Sequence, residues 1–251
     1  MNFDLGGKSV LVTGSSKGIG LAIAEALYTE GCRVALNGRS AGPLEAAAAQ
    51  LLGSIAIAGD VTVSAEAQRV VDYAAAKLGG LDILVCNVGS GRSVPPGGET
   101  PDEWNRVFAL NLWSATNTIE AARETLIASG GVIVCISSIC GLEVIPGAPV
   151  TYSAAKAALN AYVRGIARPL GQSGVRINAV APGNILFDGS VWERKLAEDK
   201  HAVEIMLQRE VSIGSLGTPA AVADLVTYLV SPRSSFATGQ VWTLDGGQTR
   251  S

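Results

Sequence analysis

Aromatic residues make up only 5% of the 251 positions and charged residues only 16%; there is one histidine, His201. Cysteine is almost as rare. Cys32, Cys86, Cys135 and Cys140 form no C-x-x-C pair, and three of them sit in or beside apolar, strand-like runs. A zinc site or a disulfide framework is therefore not expected; reduced thiols and no metal are. Nineteen Lys plus Arg against 22 Asp plus Glu give a net charge of −3, with the basic residues scattered. A nucleic-acid partner would need a basic stripe or an excess of positive charge, and neither is present. No apolar run approaches the ~18 residues of a membrane span. The opening MNFDLGGKSVLVTG lacks the basic and apolar regions of a secretory signal. The expectation is a soluble, cytoplasmic protein with no membrane or nucleic-acid partner. Repeats and Pro/Ser-rich linkers are also lacking, so nothing divides the chain.

What is abundant is Ala, Val, Leu and Gly: 48% of the chain is hydrophobic and 30 residues are glycine. Short apolar runs alternate with helical apolar spacing. Ser9–Val12 precedes Ile19–Tyr28, Arg33–Leu36 precedes Leu44–Leu52, and Ile55–Ala58 precedes Ala65–Leu78. Ile83–Cys86 then precedes Trp104–Leu126, and Val132–Ile136 precedes Tyr152–Leu170, with Val175–Val180 after it. A helix capped by Thr218, with Pro219 at its first position, and a last strand at Gln240–Leu244 complete the pattern. Continuous apolar runs suit strands buried on both faces, and strand–helix alternation implies right-handed crossovers. The predicted fold is α/β: a single doubly wound Rossmann-type domain over residues 1–251 with a mainly parallel sheet. The charged segment Asp188–Ile213 breaks the alternation and is expected to be a helical excursion over the sheet's carboxyl edge, where ligands bind in such folds.

The first turn reads Thr13-Gly14-Ser15-Ser16-Lys17-Gly18-Ile19-Gly20. It follows a strand and opens a helix, the context in which glycines allow close approach of a pyrophosphate to a helix amino terminus. Lys17 precedes Gly18 instead of following a glycine at the loop's end, which disfavours a Walker-type ATP site. The spacing G-x-x-x-G-x-G resembles that of the short-chain dehydrogenase/reductase family. Further motifs of that family follow in order along essentially the whole chain: Asp60-Val61, Cys86-Asn87-Val88-Gly89, Asn111, Ser138, Tyr152-x-x-x-Lys156, Asn178-Ala179-Val180-Ala181-Pro182-Gly183 and Leu244-Asp245-Gly246-Gly247. In general pattern the chain is similar to 3-oxoacyl-carrier-protein reductases.

Tyr152 and Lys156, four apart on one predicted helix, share a face. A phenol with an ordinary pKa near ~10 is a poor acid at neutral pH, and a neighbouring ammonium is expected to lower it. The resemblance implies that Tyr152 donates a proton to a carbonyl, and that Lys156 holds the nicotinamide ribose and tunes Tyr152. It further implies that Ser138 bonds the reacting oxygen and Asn111 holds a relay water. Ser138 and Tyr152 stand 14 apart, one more than is usual in the family, which places an extra loop residue within 143–149.

No acidic residue ends the second strand, Val34-Ala35-Leu36-Asn37-Gly38-Arg39. Arg39 with Lys17 could instead bind a 2′-phosphate, favouring NADP(H); two solvated charges are the plainer alternative. The expected cofactor site comprises Gly14, Ser16, Lys17, Gly18, Ile19, Gly20, Arg39, Asp60, Val61, Asn87, Gly89, Pro182, Gly183 and Ile185, with Tyr152 and Lys156. Asp60 is implied at the adenine amino group, although a turn role suits it as well. Phe187 stands where the family often has a threonine, and with Arg92 and Trp192 it is a candidate substrate residue. Arg92 could meet an anionic group or simply be a surface arginine, and His201 is read as solvated. The favoured function is an NADP(H)-dependent oxidoreductase interconverting a carbonyl and a secondary alcohol. The alternatives are an oxidoreductase of a sugar or nucleotide sugar in surface-glycan biosynthesis and a non-catalytic dinucleotide-binding regulator. The resemblance also implies a homotetramer, built through the small-residue helix around Ala154–Ala161 and the edge of the last strand.

Overall fold

The computed structural model describes residues 2–250. Among them, seven strands form one sheet: β1 (Ser9–Val12), β2 (Arg33–Gly38), β3 (Ile55–Ala58), β4 (Ile83–Cys86), β5 (Val132–Ile136), β6 (Arg176–Pro182) and β7 (Val241–Leu244). Their order is β3-β2-β1-β4-β5-β6-β7, with every pairing parallel. Side chains alternate between faces along each strand. Thus Val10 and Val12 enter one core with Ile23, Leu44 and Val226, while Leu11 enters the other with Val70, Ile119 and Leu159. The first core packs the sheet against α1 (Gly18–Thr29), α2 (Ala41–Ala48) and α9 (Pro219–Val230); the second packs it against α3 (Ser64–Leu78), α5 (Ser114–Ser129) and α6 (Val150–Gln172). Strand order switches sides at β1, with β2 and β3 laid on one side of it and β4 on the other. That switch point opens a crevice beyond the strands' carboxyl ends.

Local chemistry sets most boundaries. Thr100 and Thr218 accept from Glu103 N and Ala221 N, capping α4 (Pro101–Phe108) and α9, each with proline in its first turn. Gly79 and Gly130, at φ +72° and +61°, end α3 and α5 in the left-handed region. The stretch expected as one helix over 104–126 is instead interrupted by a π-helical turn, Ala109–Trp113, between α4 and α5. Asn111, in that turn, is 1% exposed and donates from Nδ2 to Val107 O, a side chain inserted into the helical ladder. Helix α2 begins at Ala41 and ends at Ala48, earlier than the apolar run 44–52 predicts. Pro43 is tolerated in its first turn, and Leu51 is buried from the following turn while Leu52 is exposed. The excursion is two helices, α7 (Val191–Glu198) and α8 (Lys200–Glu210), capped by Ser190 and Asp199. No helix among the described residues is long and apolar enough to cross a membrane.

Candidate active site

The crevice beyond the strand ends is a cleft of about 1070 Å³, open along the glycine turn at one end and under α7 at the other. A smaller hollow of about 530 Å³ lies beyond Ile145 and Pro146 and shares those two residues with it.

At the glycine turn, Gly14 and Gly18 adopt φ +63° and +60°, which side-chain-bearing residues rarely do. Gly20 serves a different need: a Cβ there would lie 2.4 Å from Gly14 O and from Asn87 Nδ2. Asn87 locks the turn from β4, its Nδ2 donating to Thr13 O at 3.1 Å and Gly14 O at 2.9 Å. Ser15 Oγ donates to Val12 O and accepts from Asn37 N, tying the turn to β2. No side chain caps the amino terminus of α1, whose Ncap is Lys17. A twelve-residue helix with a free amino terminus behind a glycine cradle fits a phosphate group. Arg39, Lys17 and Asp60 also line this end.

Several expected cofactor contacts are placed differently. Val61 is buried in the core and off the cleft walls, with its carbonyl taken by Asn117 Nδ2. Ser16 and Gly18 are also off the walls, because the Phe187 ring covers Gly18; a Cβ on Gly18 would stand 2.6 Å from it. Phe187 lines the cleft with its ring over the glycine turn. Lys17 Nζ leans toward Gly189, 2.9 Å from where a Cβ there would stand. Asp60 plays the turn role, its Oδ1 accepting from Thr62 N at 3.0 Å and Thr62 Oγ1 at 2.7 Å. Gly14, Ile19, Gly20, Asn87, Gly89, Pro182, Gly183 and Ile185 do line the cleft, as do Arg39, Asp60 and Lys17.

Ser138, Tyr152 and Lys156 meet on the floor. Ser138 follows β5, and its Oγ accepts from Cys140 N at 3.2 Å. Lys156 is 3% exposed, and its Nζ donates to Ile136 O at 2.8 Å and lies 6.0 Å from the Tyr152 ring centroid. Asn111 accepts at Oδ1 from Ser90 N and donates from Nδ2 to Ser90 O, so it anchors the loop after β4. Gly89 passes between them: a Cβ there would lie 2.9 Å from Asn111 Oδ1 and 3.1 Å from Lys156 Nζ.

Electrostatics here correct one expectation. Burial pushes the Tyr152 phenol up to about 12, against a downward pull from the neighbouring Ser138 hydroxyl. Lys156 Nζ, 6.0 Å from the ring centroid, is turned to the Ile136 carbonyl. Burial also brings Lys156 itself down to about 8. Both shifts have the same cause: removal from water disfavours whichever form is charged.

Two groups of supporting residues escaped the sequence reading. Ser137 Oγ donates to Asn160 Oδ1 at 2.6 Å, and Asn160 Nδ2 donates to Gly141 O at 3.1 Å, clamping the end of β5 to α6. Asn160 follows Lys156 by the same four residues that separate Lys156 from Tyr152, a spacing that could have flagged it. On the other wall, Glu103 accepts from Arg106 and from Ser93 Oγ, while Ser93 Oγ also meets Thr151 Oγ1 at 2.6 Å. Those hydrogen bonds, Arg106's first, bring the Glu103 carboxyl down to about 2. Under α7, Arg92 Nη2 donates to Gly189 O at 3.3 Å, and Lys195 Nζ stands 4.5 Å from the centre of the Trp192 ring. His201 is exposed on α8 and is absent from the cleft walls.

The family model described as "Enoyl-(Acyl carrier protein) reductase" matches residues 14–249. The cyclic-di-GMP-binding biofilm dispersal mediator protein of Escherichia coli (strain K12) is 35% identical over 243 residues, covering 96% of each chain. The structure of L-sorbose reductase from Gluconobacter frateurii, complexed with NADPH and L-sorbose, superposes with a TM-score of 0.93 at 28% identity over 100% of both chains. That of a 7α-hydroxysteroid dehydrogenase, complexed with NADH and 7-oxo glycochenodeoxycholic acid, gives 0.89 at 30% identity over 100% of this chain and 97% of that one. Glycine turn, parallel sheet order and the Ser138–Tyr152–Lys156 floor agree with these likenesses: the chain belongs to the short-chain dehydrogenase/reductase family of oxidoreductases.

Proposed function

We propose that this chain is an NADP(H)-dependent oxidoreductase that interconverts a carbonyl and a secondary alcohol, with Tyr152 as the acid/base. The observation that carries the reading is the meeting of Ser138, Tyr152 and the buried Lys156 on the floor of a cleft that begins at an uncapped helix amino terminus. The nicotinamide, when bound, supplies the hydride chemistry. Ser138 holds the reacting oxygen and Tyr152 gives it a proton. A phenol raised to about 12 stays protonated at neutral pH, the form that reduction requires. Alcohol oxidation requires the deprotonated form, so its rate rises with pH. Lys156 serves by holding the cofactor's ribose. Asn111 fixes the loop at Ser90, and its role in a water relay rests on the family resemblance.

Arg39 and Lys17, with no acidic residue at the end of β2, support NADP(H) over NAD(H), as does likeness to a reductase crystallised with NADPH. The test is oxidation of NADPH and NADH, followed by absorbance, over a panel of ketones, sugars and acyl thioesters. Turnover with NADPH supports the reading, and its absence across the panel contradicts it. Likeness to L-sorbose reductase favours sugars as a second substrate reading, which the same panel decides. A regulator that only binds a dinucleotide has no use for Tyr152 set between the buried Ser138 and Lys156.

Residues 1–251 are proposed to act as one cofactor-binding and catalytic unit, with 188–213 covering the substrate. Assembly into a tetramer is proposed through α6, where Ala157 and Ala161 are exposed, and through β7, a half-exposed edge strand. Light scattering is expected to give about four times the 25.7 kDa chain mass, and one chain mass would refute it.

A further inference from the structure

The cleft is charged against the trend of the chain. Overall the net charge is −3, yet Asp60 is the one carboxylate among the described residues lining the cleft. It is already bound to Thr62. Seven cations face it: Lys17, Arg39 and Lys156 at the cofactor's end and centre, and Arg92, Arg106, Arg194 and Lys195 around the mouth. A cofactor accounts for the first three. The other four need a separate account.

Two of those four are compensated. Arg106 makes a two-pronged pair with Glu103, and Arg194 lies 3.5 Å from Glu198. Arg92 and Lys195 have no ion pair among the described residues. They approach the mouth from different elements, Arg92 from the loop after β4 and Lys195 from α7. Arg92 reaches Gly189 O, immediately before that helix, and Lys195 stacks on Trp192. Burial raises the Cys140 thiol, two residues from Ser138, and the Lys195 charge pulls against that rise, which places the ammonium within electrostatic reach of the reacting end. The nearby Glu193 carboxylate is turned back onto Gly189 N and does not line the cleft. A low-dielectric cleft with one sign of charge concentrates ligands of the other sign.

We infer that the carbonyl substrate carries an anionic group, a carboxylate or a phosphoryl ester, that Arg92 and Lys195 receive at the mouth beside Trp192. This rests on the proposal that Tyr152 and Ser138 act on a carbonyl, and it narrows that reading to a substrate class. Arg92 offers a planar fork suited to either anion, and Lys195 a movable point charge.

The test uses the full chain with NADPH and matched sets of keto acids, their methyl esters and their amides, with phosphate esters of hydroxyketones as a second arm. At low salt, kcat/KM is expected to favour the anion of each matched set by roughly ten-fold or more, as a charge-assisted contact allows. That ratio shrinks toward unity at ~1 M salt, where the screening length is only ~3 Å. Lys195→Glu and Arg92→Gln each narrow the anion-to-neutral ratio. Preference within the second arm tells phosphoryl from carboxylate. Equal kcat/KM for acid and ester, or a ratio unmoved by both variants, overturns the inference. If no carbonyl is turned over, the reductase proposal fails instead. The inference is then decided by titrating the NADPH-bound protein with the same acids and amides, following cofactor fluorescence. Tighter binding of the acids, weakened in Lys195→Glu, supports it; no preference refutes it.

Discussion

The two ends of the cleft are built on different principles. The glycine-turn end is held by buried and part-buried bonds to main chain: Ser15 to Val12 and Asn37, Asn87 to Thr13 and Gly14. The mouth is held by exposed side chains, Arg92 to Gly189 and Arg194 to Glu198, and by α7, which buries no residue. Bonds shielded from water resist local opening, whereas exposed ones break at little cost. A rigid wall suits a constant partner, the dinucleotide. A loosely held wall suits a substrate that differs from one relative to another.

The sharpest way to break this contrast is one substitution at each end. Gly20→Ala sets a Cβ 2.4 Å from a backbone carbonyl, so stability is expected to fall by about 1–3 kcal/mol and NADPH affinity by ten-fold or more. Gly91→Ala, at the mouth, meets nothing closer than the Tyr152 ring at 3.8 Å and should cost within ~0.5 kcal/mol. Thermal melts with and without NADPH compare the two. Equal effects would erase the distinction.

A second substitution sharpens it from the floor. Burying the Lys156 ammonium lowers its pKa from 10.5 to about 8, so the folded state holds this proton less tightly than the unfolded chain does. The resulting destabilisation is complete below pH 8 and fades as pH rises toward 10.5. Lys156→Met should therefore raise stability at pH 7 by about 1–3 kcal/mol, partly offset by loss of the bond to Ile136 O, while abolishing activity. A melting temperature that falls would contradict the assignment of strain to the site.

A third substitution tests the rim of the rigid end. Arg39→Asp removes a partner for a 2′-phosphate and adds repulsion. The ratio of kcat/KM for NADPH over NADH should drop about ten-fold or more, and a ratio that barely moves would leave Arg39 a surface charge.

The same contrast explains what the sequence disclosed. At the rigid end each residue has a local reason: a strand, then glycines at fixed offsets, then a helix. The strand ends, the parallel sheet and the cradle were all legible there. Tyr152 and Lys156 were legible because helical spacing puts them on one face. Where Nζ turns and how much water burial removes are tertiary facts, so the upward push of burial on the phenol was not legible. Helical spacing could flag Asn160, but its bond to Ser137, across 23 positions, is a tertiary contact. That the Phe187 ring lies over Gly18 was not legible either, because a family position says nothing of ring direction. The mouth was least legible: the lie of α7 and α8, and with it the position of Lys195, depends on packing that charged, weakly periodic sequence does not encode.

The central claim, that Tyr152 is the proton donor on a floor distinct from the cofactor's cradle, is tested most directly by Tyr152→Phe. NADPH affinity, from fluorescence titration, and reduction of the best ketone in the panel are measured on the same preparation. The account predicts affinity within about two-fold of the unaltered protein and kcat reduced by about 10²–10⁴-fold. Turnover comparable to that of the unaltered protein would contradict it.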